Sequence, residues 1–218
     1  MLQIEIFSDI VCPWCFIGKR RLDDALSGDL GEGVDLRWRP YQLHPGIPIQ
    51  GVDRGEYLAR RYGEGADRAR VPERIRIEAE AEGIDMRFDL MERLPNTLQA
   101  HRLMEYAYEQ DCQHALSEAL FVGYFCQGRD VGDLQTLVRI AVEVGMSGAQ
   151  VEAYLNSDAG SSEVQTQLQR APEIGVSGVP GYYLANGFLL PGAQTSETMG
   201  QIISRVKDKL AKAATESA

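Results

Sequence analysis

The chain has 218 residues, of which 44% are hydrophobic and 25% charged, a composition typical of a globular protein with a substantial core. Its formal net charge of −10 argues against a nucleic-acid partner, because a polyanion is repelled by most of such a surface. The basic run Lys19-Arg20-Arg21 is expected to be a solvated helix face that is balanced by nearby acids. No apolar run approaches the ~20 residues of a membrane span, and a strand pattern follows Met1 without a signal-peptide pattern. We therefore expect a cytoplasmic protein without a membrane partner.

The first elements in chain order form a strand–helix–strand unit. An apolar run predicts a strand over residues 2–7, helical spacing follows over residues 13–26, and residues 34–38 alternate apolar and polar side chains. In such a unit the crossover is expected to be right-handed and the two strands are expected to pair in parallel.

The middle of the chain is predicted to be helical. Pro40, Pro45, Gly46 and Pro48 interrupt the strand pattern, and a region that is too long for a loop follows them. Helices are predicted over residues 55–62, 72–82, 97–110, 113–126, 132–144, 148–156 and 161–173. A region of this size is expected to hold its own core.

The last part returns to strands. Two apolar runs, residues 181–185 and 188–190, flank Asn186-Gly187, and Asn-Gly predicts a type I′ hairpin turn because both central residues need a positive φ. A closing helix is predicted over residues 195–210, and the tail after Lys212 is expected to fray.

Cys12-Pro13-Trp14-Cys15 lies where the first strand leads into the first helix. Pro13 suits the first helical position, which makes Cys12 the cap residue at the positive end of the helix dipole. That position faces backbone N–H groups without intrahelical partners and favours the thiolate, so Cys12 is predicted to be the attacking thiol. Cys15 follows one turn later, about 5–6 Å away on the same helix face, within reach for a disulfide.

These residues carry a resemblance to a known family. The chain resembles the FrnE-like branch of the DsbA family of thioredoxin-fold thiol oxidoreductases, and the matching blocks span nearly its full length. The blocks are residues 8–15, 18–22, 96–97 with 100–103, and 177–180 with 191–194. The resemblance implies an α/β thioredoxin fold with a large inserted all-helical domain. Residues 1–50 and 176–218 would form the thioredoxin domain, and residues 51–175 the insertion.

The resemblance also implies roles for individual residues. The proline of the thioredoxin fold that corresponds to Pro180 is cis and faces the cysteines, which leaves the N–H and C=O of Val179 free to pair with an extended substrate. Trp14, beside Pro13, would offer a flat apolar contact to an incoming polypeptide. We therefore predict that Pro13, Trp14, Val179 and Pro180 bind substrate.

The second cysteine needs a proton acceptor. Thioredoxin and many of its relatives carry a buried acid six residues before the nucleophile, but this chain has Ile6 there. Asp9 is the nearest acid in sequence and is a candidate proton acceptor through water, although it could instead cap the turn.

Three further residues suggest a second redox or metal site. Cys112, His114 and Cys126 are close in sequence, but one continuous helix would separate the two cysteines by about 20 Å, beyond disulfide reach. We interpret them as separate thiols in core and cap positions and predict no metal site. His101 fits a core histidine with a satisfied hydrogen bond at least as well as a substrate contact.

The sequence thus predicts a protein disulfide oxidoreductase that exchanges disulfides with protein or small thiol substrates and needs no cofactor. Glutathione could serve as a thiol substrate. One alternative is a glutathione-dependent enzyme that resembles kappa-class transferases and 2-hydroxychromene-2-carboxylate isomerases, which typically have serine where Cys12 stands. The other is a redox-responsive chaperone. The sequence leaves the oligomeric state open.

Overall fold

The structure, a computed structural model, describes residues 1–64, 67, 69–185 and 187–216. The strands are β1 (Leu2–Ser8), β2 (Val34–Pro40), β3 (Val52–Asp53), β4 (Arg93–Leu94), β5 (Gly181–Leu184) and β6 (Phe188–Pro191). The helices are α1 (Pro13–Ala25), α2 (Arg54–Tyr62), α3 (Glu73–Ala81), α4 (Leu98–Glu109), α5 (Gln113–Phe121), α6 (Leu134–Glu143), α7 (Gly148–Leu155), α8 (Ser161–Glu173) and α9 (Ser196–Glu216). This is the predicted α/β thioredoxin fold with a helix-rich insertion.

The central sheet has the strand order β2-β1-β5-β6. β1 pairs in parallel with β2, as the strand–helix–strand pattern predicts, and β5 and β6 pair antiparallel. Leu184 pairs with Phe188, so three residues connect the hairpin strands. The predicted type I′ turn includes Asn186, which lies outside the described residues.

The helices of the inserted region start and end within two residues of their predicted limits, with one exception. α5 ends at Phe121 and continues as a π-helical turn, Val122–Cys126, so the prediction of one α-helix to Cys126 is wrong. A short sheet of β3 and β4 was not predicted. α9 extends to Glu216, beyond the predicted end and into the tail that was expected to fray. Among the described residues, no helix combines the length and apolar character that a membrane span requires.

One continuous core joins the sheet to the inserted helices, contrary to the expectation of a separate core. Buried side chains from β1, α1 and β2 belong to the same cluster as those from α4, α5 and α6. At its centre, Phe16 of α1 stacks on Phe121 of α5, with ring centroids 5.3 Å apart. The helix that carries both cysteines therefore packs between the sheet and the inserted region.

Two cations of α1 are buried, which corrects the prediction of a solvated basic face. Lys19 is 3% exposed and forms ion pairs of 2.7 Å with Asp23 and 3.0 Å with Glu118. Arg21 is 7% exposed and pairs with Glu78 and Glu82. The predicted balance by acids is present, but the acids come largely from α3 and α5, so burial of the cations depends on tertiary packing.

Candidate functional site

Cys12 is the N-cap residue of α1, as predicted. Its backbone is extended (φ −94°, ψ 112°), and Pro13 starts the helix. The Cys12 amide donates to the carbonyl of Asp9 at 3.0 Å, which closes the turn between β1 and α1. The Cys12 carbonyl in turn accepts from the Cys15 amide at 3.0 Å. The local sequence therefore places both thiols in the first turn of the helix.

The Cys12 thiol does not bond the free helix N–H groups that it was expected to face. It makes no side-chain cap hydrogen bond, and its Sγ instead donates to the carbonyl oxygen of Val179 at 3.7 Å. Cys12 is only 4% exposed. The thiol therefore points across the end of the sheet toward the loop before β5.

Cys15 is buried beside Cys12. Burial is the main reason why the pKa of the Cys15 thiol is well above its ordinary value, and the neighbouring Cys12 raises this pKa further. The Ser8 side chain and the Asp9 backbone lower it in part. Cys15 is therefore a protonated thiol near neutral pH, and it needs a proton acceptor before it can act as a nucleophile.

The loop before β5 forms the other wall of the site. The Val179–Pro180 peptide bond is cis, and the Pro180 carbonyl accepts from the Gly192 amide at 2.8 Å. The Val179 amide has no hydrogen-bond partner among the described residues. A surface pocket of about 240 Å³ is lined by this loop and by residues of β6. A free amide beside a pocket can pair with an extended peptide backbone.

Trp14, between the two cysteines, is half-buried. The guanidinium of Arg74, on α3, lies 5.2 Å from the centroid of its ring. Pro13 is also half-buried, so both residues between the thiols are partly open to a partner.

Asp9 does not cap the turn, which excludes one of its two predicted roles. Its carboxylate is 1% exposed, and Oδ2 accepts from the Leu43 amide at 2.7 Å. Oδ1 makes no hydrogen bond within the described chain and lies 3.5 Å from Nε2 of His101. His101 is a buried core histidine, because its Nε2 lies 2.9 Å from the Tyr41 carbonyl oxygen.

Sequence reasoning missed Tyr182, which lies on β5 close to both thiols. Its hydroxyl is buried without a hydrogen-bond partner among the residues that the structure covers. Burial raises the pKa of the Tyr182 hydroxyl, and the neighbouring Cys15 and Cys12 raise it further. In the sequence, only its position two residues after Pro180 indicates that Tyr182 lies near the thiols.

Cys112 and His114 make separate contacts, and the Cys112 thiol donates to the Ala107 carbonyl oxygen at 3.6 Å. All four cysteines are free thiols, and no group of three metal-binding side chains occurs in the described ranges. Nε2 of His114 lies 2.8 Å from Asp23, and its Nδ1 accepts from the Trp38 indole at 3.2 Å. His114 therefore has a structural role.

Comparison with known proteins identifies the family. The model of the DSBA-like thioredoxin domain matches residues 3–204. The crystal structure of a probable DsbA oxidoreductase, SCO1869 of Streptomyces coelicolor, is 30% identical with a TM-score of 0.81, covering 95% of this chain and 91% of that one. The uncharacterized protein YwbO of Bacillus subtilis strain 168 is 26% identical over 95% of this chain and 98% of its own.

A more distant structure shares the fold. The cytosolic disulfide reductase DsbM of Pseudomonas aeruginosa, solved with GSH, is 16% identical with a TM-score of 0.66, covering 98% of this chain and 99% of that one. The family model spans nearly the whole chain, and the structures agree over the same length. The chain therefore belongs to the DSBA-like thioredoxin-domain family.

Proposed function

We propose that this protein is a thiol–disulfide oxidoreductase in which Cys12 and Cys15 form the redox pair. The observation that carries the proposal is the position of both buried thiols in the first turn of α1, opposite a loop whose Val179 amide has no partner among the described residues. The resemblance of several sequence blocks to the FrnE-like branch supports the same assignment.

The reaction follows from this geometry. The Cys12 thiolate attacks one sulfur of a substrate disulfide, the other substrate sulfur leaves as a thiolate, and a mixed disulfide forms. Cys15 then loses its proton and attacks the Cys12 sulfur, and the second substrate sulfur leaves. Two electrons pass from the cysteine pair to the substrate, and the reverse sequence oxidises a dithiol. The cysteines hold these electrons, so the reaction needs no cofactor.

The substrate would lie against the loop before β5. An extended peptide would pair its backbone with the free Val179 amide, Pro180 would separate it from the sheet, and Pro13 and Trp14 would contact its side chains. Substrates of this kind are protein or peptide thiols and disulfides, and glutathione is a small thiol that fits the same backbone contact. Asp9 stays a candidate acceptor for the Cys15 proton.

The second candidate is a glutathione-dependent transferase or isomerase of the same fold, and the GSH in the DsbM structure supports a glutathione site in such a fold. Glutathione-dependent transfer or isomerisation needs only one thiol donor, so Cys15 would have no role in it. The cytosolic origin of DsbM also supports our proposal of a cytoplasmic location, where glutathione is the abundant thiol. A redox-responsive chaperone is a third candidate, in which the cysteines would control binding rather than turn over.

The test is the Cys15→Ser variant in two assays. In the proposed function this variant accumulates covalent adducts with protein thiols and loses turnover in dithiol-driven insulin reduction. If Cys15→Ser keeps its disulfide-exchange turnover, or if the wild type shows only glutathione conjugation or isomerisation, the proposal is wrong. A chaperone would suppress aggregation of a client in the Cys12→Ser variant as well, with only its redox control lost.

A further inference from the structure

A small cavity lies between the sheet and α4, beside Ser8 of β1. The space that the centre of a water molecule can occupy is about 10 Å³, which is just enough for one water. The lining includes Ser8 of β1, Arg39 of β2, and His101 and Glu105 of α4. Ile10, Trp38, Pro40 and Met104 complete the lining, so polar residues of three elements border one water-sized space.

Three polar atoms of its lining are buried without a hydrogen-bond partner in the described chain. They are Ser8 Oγ, Arg39 Nη1 and Glu105 Oε1. Buried polar atoms are nearly always hydrogen-bonded, and leaving one unsatisfied costs about 1–3 kcal/mol. One water in the cavity could bond the Ser8 hydroxyl and the Glu105 carboxylate together, which accounts for their placement.

Ser8 also borders the redox pair. Its side chain lies beside the Cys15 thiol and lowers the pKa of that thiol. Ser8 is 3% exposed and Cys15 is 1% exposed, so bulk water does not reach this contact. The Cys15 proton therefore needs an internal route.

We propose that the proton of Cys15 passes through the Ser8 hydroxyl and one water in this cavity to the carboxylate of Glu105. The inference rests on the proposed oxidoreductase function and names the route that its resolving step uses. Ser8 lies beside the reacting thiol, and Glu105 is a positioning residue that acts through Ser8 and the water. The oxygen that receives the proton is Oε1, because Oε2 is held by Arg37 at 3.2 Å.

Atoms and electrons balance in this step. The Cys15 S–H bond breaks, Ser8 takes the proton and passes its own to the water, and the water protonates Glu105. The Cys15 sulfur forms a bond with the Cys12 sulfur, and the electron pair of the broken mixed disulfide leaves with the substrate sulfur. The proton later leaves Glu105 toward solvent on the side of Arg37, which is 22% exposed at its side chain.

The charges around Glu105 suit a proton acceptor. Burial raises the pKa of this carboxyl, Arg37 and Arg39 of β2 lower it in part, and Glu163 of α8 raises it. Tyr154 of α7 interacts with the same carboxylate. The net shift is upward, so Glu105 holds a proton more readily than an exposed glutamate does.

The test follows both steps of one turnover with a chromogenic disulfide, 5,5′-dithiobis(2-nitrobenzoate). Cys12 releases the first thionitrobenzoate when it forms the mixed disulfide, and Cys15 releases the second when it resolves it. The Cys112→Ser and Cys126→Ser substitutions in every variant remove the other thiols. Glu105→Gln is expected to slow the second release on the order of 100-fold near neutral pH and to leave the first unchanged. The loss should shrink at high pH, because bulk hydroxide can then take the proton.

The pH profile separates this role from a structural one. In the wild type the second release should fall on acidification with an inflection above the ordinary glutamate pKa, and Glu105→Gln should lack it. Ser8→Ala should give the same loss, and the double variant should be no slower than either single variant. Glu109→Gln, at an exposed position at the end of α4, is the matched control outside the cavity lining, and it should keep the wild-type profile.

Three outcomes are decisive. If Glu105→Gln keeps the wild-type second release and its inflection, or if only Asp9→Asn removes them, the route through Glu105 is wrong. If the effects of Ser8→Ala and Glu105→Gln on the rate of the second release are additive in free energy, the two residues do not share one route and the proposal is also wrong. If the wild type shows no second release at all, the oxidoreductase function itself fails, which is a different result from the first two.

Discussion

The thiol of Cys12 donates a hydrogen bond of 3.7 Å to the carbonyl oxygen of Val179, a residue 167 positions later in the chain. This contact requires α1 to lie close against the loop before β5. Gly18, one turn after Cys15, allows the approach, because a Cβ added there would be 3.1 Å from Cγ of Pro180 and would overlap the Tyr182 hydroxyl. The relationship between the thiol and the loop therefore depends on a residue without a side chain.

Gly18→Ala is expected to destabilise the protein by about 1–3 kcal/mol and to slow the first thionitrobenzoate release, because α1 must move away from Pro180. Urea unfolding and the single-turnover assay measure the two effects. The control is Gly46→Ala, where an added Cβ has no atom within 4 Å, and its stability should stay within about 0.5 kcal/mol of the wild type. Equal behaviour of the two variants would show that the close approach has no energetic role.

A second prediction concerns Glu5, which is 3% exposed between two arginines. Its oxygens accept from Arg39 at 2.5 Å and from Arg170 at 2.6 Å. Burial alone would raise the pKa of the Glu5 carboxyl, but the hydrogen bonds and charges of Arg170 and Arg39 outweigh it, so the pKa is lowered. The stabilisation from Glu5 and its two arginines is therefore fully present above the ordinary pKa of 4.5. It is lost as the pH falls through the lowered pKa that Glu5 has in the folded protein.

Glu5→Gln should cost about 3–5 kcal/mol at pH 7, because the largely buried Arg39 and the half-buried Arg170 both lose the charged partner that they share. The difference in urea midpoint between wild type and variant should narrow below about pH 4.5 as Glu5 becomes protonated. Glu56→Gln, at the exposed pair with Arg60, should have little or no effect. A difference that stays constant down to pH 3 would mean that the ionised form of Glu5 contributes nothing.

The sequence predicts the local part of the site well. Cys12, Pro13 and Cys15 are fixed by a strand that leads directly into a helix, so their relative placement depends on neighbours in the chain. Contacts between distant segments cannot be predicted in this way. Ser8 and Glu105 line one cavity only because α4 packs against β2.

The same limit explains two other errors of prediction, one on α1 and one in the inserted region. Lys19 was predicted to be solvated because it lies in a run of three basic residues. It is buried because the fold brings Glu118 of α5 next to it. The π-helical turn that ends α5 has no pattern in the sequence. It follows Phe121 and contains Phe125, and both rings pack on Phe16 of α1. Side-chain packing between helices, which periodicity does not report, decides such details.

A third prediction concerns Cys112 and Cys126, which the site does not use. Burial raises the pKa of both thiols, with smaller contributions from Asp111 at Cys112 and Asp85 at Cys126. Both should alkylate slowly with iodoacetamide at pH 7 and faster only above the ordinary thiol range. The Cys112→Ser, Cys126→Ser double variant should keep disulfide-exchange turnover. A Cys112–Cys126 bridge in peptide maps of the oxidised monomer would contradict this prediction.

The last prediction tests whether Trp14 selects polypeptide substrates. Its half-buried ring lies between the two thiols and under Arg74, so it offers an apolar surface to a polypeptide bound at the Val179 loop. Trp14→Ala should raise the KM for insulin about tenfold, as the loss of one aromatic contact does, and leave the single-turnover release from the small chromogenic disulfide within about twofold. Phe188→Ala removes an aromatic ring that is 46% exposed on β6, and it is the matched control that should leave both values unchanged. If Trp14→Ala and Phe188→Ala shift the insulin KM equally, the effect is one of general surface hydrophobicity and Trp14 does not contact the substrate. If Trp14→Ala slows the small disulfide as strongly as insulin, the ring acts on the thiols themselves and not on the polypeptide.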